Sequence, residues 1–387
     1  MKSKIFLSTF YYKPEIGGIE NHLSDVLDVS QRNFIVSRPY IIDGGKKALD
    51  SNDKNIYCYQ GFKSIISKNK KYYKWLLPLI YINQFLSGYK ILRRHRGQIA
   101  VVYAGSGDFM LVPLVLSKIF RLPLVIFVHG NDIQPRKSLL SKLYKRKILL
   151  YMLSLSKVVV ANSHYTESIL RNGGYRRNNI ILLNPFLGDN TIENVKPRLD
   201  TESEKNSFTL LTVGRMVQRK GYQSVLYALK LLKDDGIDFK YKIVGDGPYK
   251  NEVLGMIGML GLEDHVDLLG VVDETAAYYQ AADVFIMPSI ELPGDVEGFG
   301  IVFLEAGLQS LAVISSLSGG IPDAVVNGVT GLLVKPGDVE EIVAAIKLLM
   351  NDVDLRIRMG RAGYKKSTDR EQIILAIDEI ETRISHE

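Results

Sequence analysis

Short apolar runs recur along this chain, and longer amphipathic stretches fill the intervals between them. Lys4 to Thr9, the region of Val36, Ala100 to Tyr103, Leu124 to Val128 and Val158 to Ala161 are compact blocks rich in Val, Ile and Leu. Such blocks read as strands covered on both faces, and their alternation with helical stretches predicts the βαβ arrangement of a parallel sheet. Residues 188–206 break the pattern. They are polar, charged and interrupted by Pro197, which marks a linker. A second alternating set begins at Phe208 to Val213 and runs to about Ser367. Its first helix carries Tyr222, Val225, Leu229 and Leu232 on one face, and a later one, Asp338 to Met350, opens with the capping pair Asp338 and Glu341. From Gln372 onward Ile373, Ile377, Ile380 and Ile384 share one face of a closing helix.

Length agrees with two α/β domains, since 387 residues exceed what one core usually supports. The expected division is residues 1–187, the linker 188–206, and 207–369, with the closing helix of about 370–387 to be placed. The single cysteine, Cys58, excludes an intramolecular disulfide and is compatible with a reducing compartment. No uninterrupted apolar segment approaches the ~18 residues of a membrane span, and Ile5-Phe6-Leu7 is too short for a signal-peptide core. A cytoplasmic location is expected. Charge is unevenly shared: residues 1–186 hold 29 Lys and Arg against 10 Asp and Glu, while the remainder hold 20 against 32, within a net charge of +7. The basic half should face an acidic partner.

The richest chemistry lies in Glu297-Gly298-Phe299-Gly300-Ile301-Val302-Phe303-Leu304-Glu305, where two carboxylates flank a glycine-rich turn into an apolar helix. The amides of Gly300, Ile301 and Val302 at that helix start favour phosphate, and Phe299 sits within the turn. Acceptor-only carboxylates suit hydroxyl-rich ligands: Glu305 a ribose diol, Glu297 the hydroxyls of a hexose. A second cluster follows the Phe208 to Val213 strand. There Arg215 can fork onto a diphosphate and Lys220 adds a point charge at a helix start. Gly105-Ser106-Gly107 and Gly245-Asp246-Gly247 each supply only part of a dinucleotide fingerprint, because Met110 and Lys250 stand where its third glycine belongs. A dehydrogenase is therefore disfavoured, and no P-loop pattern appears. The six histidines lack metal-ligand spacing, so neither metal nor other cofactor is expected.

Together these residues resemble the retaining nucleotide-sugar glycosyltransferases of family 4. The resemblance extends to Gly17 and Gly18 in the loop Tyr11 to His22, to Val128-His129-Gly130-Asn131-Asp132, Val158 to Ser163, Leu183-Asn184-Pro185, Ala281 to Ser289 and Gly319 to Asp323. It departs at Leu311, where a proline is usual, and in a longer Ile290 to Val296 loop that has room to move. The resemblance implies a GT-B fold of two facing Rossmann-like domains with a cleft between them, the first binding acceptor and carrying the returning C-terminal helix. It implies a donor that is a nucleoside-diphosphate sugar, with uridine first and guanosine next, and an acceptor that is lipid-linked or an oligosaccharide. Gly17 and Gly18 would approach the donor phosphate, and His129, oriented by Asp132, would lie beside the reacting centre. Front-face attack without a covalent nucleophile is the implied mechanism. A sugar-nucleotide epimerase or hydrolase, and a non-catalytic sugar-nucleotide-binding protein, are the alternatives.

Two basic segments add a possible partner. Lys68 to Trp75 joins lysines to aromatics, and Lys137 to Met152 interleaves cations with leucines, as a surface that lies on an anionic membrane does. No nucleic-acid-binding motif accompanies the charge.

Overall fold

The computed structural model describes residues 4–9, 18–30, 32–39, 42–43, 46–47, 56–59, 73–134, 139–193, 195 and 207–385. Contacts divide the chain into Met1–Asn184 with Gln372–Glu387, and Pro185–Glu371.

In the first unit the strands are β1 (Lys4–Ser8), β2 (Phe34–Pro39), the small hairpin β3 (Ile42–Asp43) and β4 (Lys46–Lys47), β5 (Ile56–Tyr59), β6 (Ile99–Ala104), β7 (Leu124–Val128), β8 (Val158–Ala161) and β9 (Ile180–Leu182). Helices α1 (Gly18–Val29), α2 (Tyr73–Arg94), α3 (Leu111–Phe120), α4 (Leu139–Ser154) and α5 (His164–Asn172) connect them. Seven strands form one parallel sheet in the order β5-β2-β1-β6-β7-β8-β9. The order reverses between β1 and β6, and in open α/β sheets such a point opens a crevice at the carboxyl ends of the strands.

The second unit starts with α6 (Asp189–Glu193), inside the stretch expected to be linker, where Arg370 pairs with Asp189. Its strands are β10 (Phe208–Val213), β11 (Phe239–Val244), β12 (Val266–Gly270), β13 (Val284–Ile286), β14 (Ala312–Ser316) and β15 (Gly331–Val334). The helices are α7 (Tyr222–Asp234), α8 (Lys250–Leu260), α9 (Ala276–Ala281), α10 (Ile301–Leu308), α11 (Ile321–Ala324), α12 (Val339–Asn351) and α13 (Val353–Thr368). The parallel order β12-β11-β10-β13-β14-β15 reverses between β10 and β13. Successive strand residues bury opposite faces: Leu210 joins the core under α7 and α12, and Leu211 joins the one under α10. That double burial is why β10 reads as an unbroken apolar run.

Asp338 caps α12 by accepting from the Glu341 amide at 3.0 Å. The Glu341 carboxylate instead accepts from the Lys335 amide, so only half of the expected capping box forms. The closing helix, α14 (Glu371–Ser385), buries Ala376, Ile377, Ile380 and Ile384 and is counted with the first unit, where Glu381 pairs with Arg32.

Candidate functional site

In the second unit the site is built at the reversal between β10 and β13. The chain leaves β10 through Gly214 and Arg215, makes a short 3-10 turn over Gln218–Lys220, and enters α7 through Gly221 at φ 80°. A Cβ on Gly221 would overlap the Pro288 carbonyl, which comes from the segment after β13, so only glycine joins the two loops this closely. Here Lys220 is buried and its Nζ donates to Glu297 Oε2 at 2.6 Å. Arg219 donates to the same oxygen at 2.5 Å and pairs through Nε with Asp295 at 2.9 Å. Burial by itself would raise the Glu297 pKa, but the Lys220 and Arg219 charges outweigh it and hold the carboxyl at about 2. Burial pushes the Lys220 ammonium down, against the opposing pull of Glu297.

The Ile290 to Val296 loop carries its own backbone hydrogen bonds. Leu292 and Asp295 exchange backbone bonds at 3.1 and 2.9 Å across Pro293-Gly294, and the Ile290 amide donates to the Arg219 carbonyl at 2.7 Å. Behind Glu297, its own carbonyl accepts from the Gly320 amide at 2.9 Å. Gly300 stands at φ 91° as N-cap of α10, which leaves the first amides of that helix without intrahelical acceptors. Further into α10, Glu305 Oε2 accepts from the Tyr279 hydroxyl at 2.9 Å. Burial raises the Glu305 pKa, with the Tyr279 bond and the Lys220 charge pulling the other way. That influence ties Lys220, Glu297 and Glu305 into one electrostatic site.

In the first unit the reversal between β1 and β6 gathers the other cluster. His129 follows β7, is buried, and its Nε2 lies 3.0 Å from the Gly105 carbonyl. A carbonyl only accepts, so Nε2 of His129 is the donor of this bond. Asp132 does not touch the ring as expected. Its carboxylate accepts from the backbone amides of His129 and Gly107, each at 2.8 Å, and so clamps the loops after β7 and β6. A Cβ on Gly105 would overlap Thr9 after β1, so the Gly-Ser-Gly stretch set aside as a partial fingerprint is the support for His129. His22 of α1 packs edge-on against His129 with ring centroids 6.1 Å apart, and burial followed by the His129 charge lowers its pKa to about 3.

The structure thus brings Lys220, Glu297, Glu305 and the start of α10 together, and leaves Arg215 exposed with no bond among the described residues. Glu297, expected to be free for a sugar, spends one oxygen on two cations. Gly17 lies outside the described residues, as do Lys68 to Lys71 and Lys137, and Gly18 opens α1. Arg219, Asp295, Tyr279 and the Gly105 carbonyl were missed. A signal for the first two was present, since adjacent cations at 219 and 220 match acids at 295 and 297. Leu311 donates its amide to the Ala306 carbonyl at 3.0 Å, a bond that a proline there would forgo.

Residues 196–366 match the family profile of glycosyl transferases group 1. A GDP-mannose-dependent alpha-(1-6)-phosphatidylinositol monomannoside mannosyltransferase of Mycobacterium tuberculosis is 38% identical over 159 residues, which span 40% of this chain and 41% of that protein. The uncharacterized glycosyltransferase MJ1178 of Methanocaldococcus jannaschii is 26% identical over 99% of both chains. Among solved structures, Anabaena Alr3699/HepE in complex with UDP and glucose superposes with a TM-score of 0.74 at 19% identity over 100% of both chains. Sucrose-phosphate synthase from Thermosynechococcus elongatus gives 0.77 at 18% over 99% of both.

Proposed function

We propose that the chain, whose residues 196–366 match the profile of glycosyl transferases group 1, moves a sugar from a nucleoside diphosphate to an acceptor hydroxyl with retention of anomeric configuration. The observation that carries this reading is the pair of cations held on Glu297 Oε2 in the second unit. Lys220 uses one of its three N–H groups on Glu297, and Arg219 keeps donors beyond its bonds to Glu297 and Asp295. These remaining donors, with the open amides at the start of α10, are fixed before substrate arrives. Donors preorganised toward developing charge are typically the largest catalytic term, and here that charge is the departing diphosphate. Arg219 adds to Arg215, the residue the sequence suggested for the diphosphate, which stands exposed on the same loop. Glu297 Oε1, which makes no bond among the described residues, accepts from a hexose hydroxyl, and Glu305 accepts from the ribose.

In the first unit His129 is the candidate catalytic residue, and no side chain is assigned as covalent nucleophile. The diphosphate charge is met by Arg215, Lys220, Arg219 and amides, so chelator should leave activity intact. The acceptor is lipid-linked or an oligosaccharide, within polysaccharide or glycolipid assembly; the names of the relatives, which include a capsular polysaccharide glycosyltransferase of Staphylococcus aureus, support this. Those names also divide the donor between GDP-mannose and UDP, so both are tested.

The test is product analysis with UDP- and GDP-linked sugars and a lipid extract. Transfer with retained configuration, lowered about 10²-fold or more in kcat/KM by Lys220→Ala, is expected. Donor cleavage without acceptor at a comparable rate would favour an epimerase or hydrolase, and binding with no turnover a carrier.

A further inference from the structure

Helices α2 and α3 pack side by side on one face of the first sheet, meeting where Leu116 fills the space beside Gly88. Their inward residues Ile80, Ile91, Leu92, Val112, Leu114 and Leu116 are in the core. The outward faces are also aliphatic. Leu79, Ile82 and Leu86 on α2 and Leu111, Val115 and Ile119 on α3 are each between 40% and 52% exposed. Exposed apolar residues are ordinarily scattered singly, so six large aliphatics on neighbouring helix faces mark an interaction surface.

The charges carried by the two helices identify the partner. On α2 the stripe Leu79-Ile82-Leu86 continues, at the same helical spacing, into exposed Lys90 and Arg93. On α3 Lys118 is exposed beside Ile119, and Arg121 follows at the C-cap. Neither helix contains an acidic residue. Because both helices connect parallel strands of one sheet, they run in the same direction, and their basic ends lie at the same edge. A second copy of this chain would set that basic edge against its like, whereas an anionic lipid surface complements both the cations and the aliphatics. Among the described residues no helix is long and apolar enough to cross a membrane, so the contact is with a surface.

We propose that the outward α2–α3 face docks the protein reversibly on an anionic bilayer, the aliphatics entering the headgroup boundary and Lys90, Arg93, Lys118 and Arg121 pairing with lipid charge. The face differs from the Lys68 to Trp75 and Lys137 to Met152 segments singled out by sequence, and the proposal does not depend on the transfer reaction.

The experiment is co-sedimentation of the full chain with phosphatidylcholine vesicles and with vesicles containing phosphatidylglycerol. Binding is expected only to the second kind and should fall as salt rises. The exposed double variant Arg93→Glu, Lys118→Glu should lower the partition about 25-fold or more, each cation near an anionic leaflet being worth about fivefold. Ile82→Gln with Ile119→Gln should weaken binding about tenfold or more even at low salt, because it removes the inserted aliphatics. Absence of binding, or both variants binding as the parent does, overturns the proposal. A dimer in sedimentation velocity that the Ile82→Gln, Ile119→Gln pair dissolves, without lipid binding, would overturn it in favour of a second copy.

Discussion

Tyr279 donates its hydroxyl to Glu305 Oε2 across 2.9 Å, from a buried ring stacked on Phe285 with centroids 5.8 Å apart. Packing fixes the ring, so it also fixes which carboxylate lone pairs remain for the ribose diol proposed as its ligand. Tyr279→Phe keeps the stack and deletes the bond. Affinity for a nucleoside diphosphate should fall about tenfold, in line with a hydrogen bond to a charged group. Calorimetric titration checks this, with the 2′-deoxy nucleotide as control: its affinity should scarcely change, whereas equal losses for both would indicate a general loosening.

The two cations on Glu297 predict an asymmetry between variants. Glu297→Gln leaves Lys220 and Arg219 buried beside each other without their shared anion, while Lys220→Met leaves Arg219 still paired. Removing one member of a buried ionic group costs about 3–5 kcal/mol. Chemical denaturation should place Glu297→Gln near that range and Lys220→Met below it, and the double variant Glu297→Gln, Lys220→Met should be less destabilised than the sum of the two.

His22 supplies a pH dependence. Its pKa is about 3 in the folded chain against an ordinary value of 6.5, so between those values the unfolded chain binds the proton that the folded one refuses. Its contribution to stability is present above about pH 6.5 and is lost as pH falls, by about 1.4 kcal/mol per unit. His22→Leu should flatten this part of the stability profile between pH 6.5 and 5. A profile parallel to that of the parent would remove His22 as its source.

Two helical glycines should respond oppositely to alanine. A Cβ on Gly360 of α13 would overlap the Ser310 carbonyl just beyond α10, whereas nothing lies within 4 Å of one on Gly255 in α8. Gly255→Ala should stabilise by about 0.5–1 kcal/mol through helix propensity. Gly360→Ala should destabilise despite the same propensity gain, because backbone must move and α10 with it. Thermal unfolding of the two variants decides it.

Strands β1, β6, β7, β8 and β10 were legible because they are buried on both faces and therefore largely apolar. Phe208 to Val213 and Leu124 to Val128 coincide with β10 and β7 residue for residue. The helix carrying Tyr222, Val225, Leu229 and Leu232 was equally clear, since one face packs and the other is wet. The boundary near 187 was less so, because a polar stretch such as Asp189–Glu193 can be helical when a partner such as Arg370 holds it.

Within the site, the ingredients could be read along the chain: glycines where backbones must approach, two carboxylates around the start of α10, and cations in the turn after β10. Those follow from local rules of conformation and charge. The pairings came from folding. Arg219 rather than Arg215 reaches Glu297 although both stand on one loop, and the Gly105 carbonyl, not Asp132, holds the His129 ring. Such partners lie 78 and 24 residues apart along the chain. Sheet order brings them together, and local spacing along the sequence carries no record of which side chain a crossover connection will deliver.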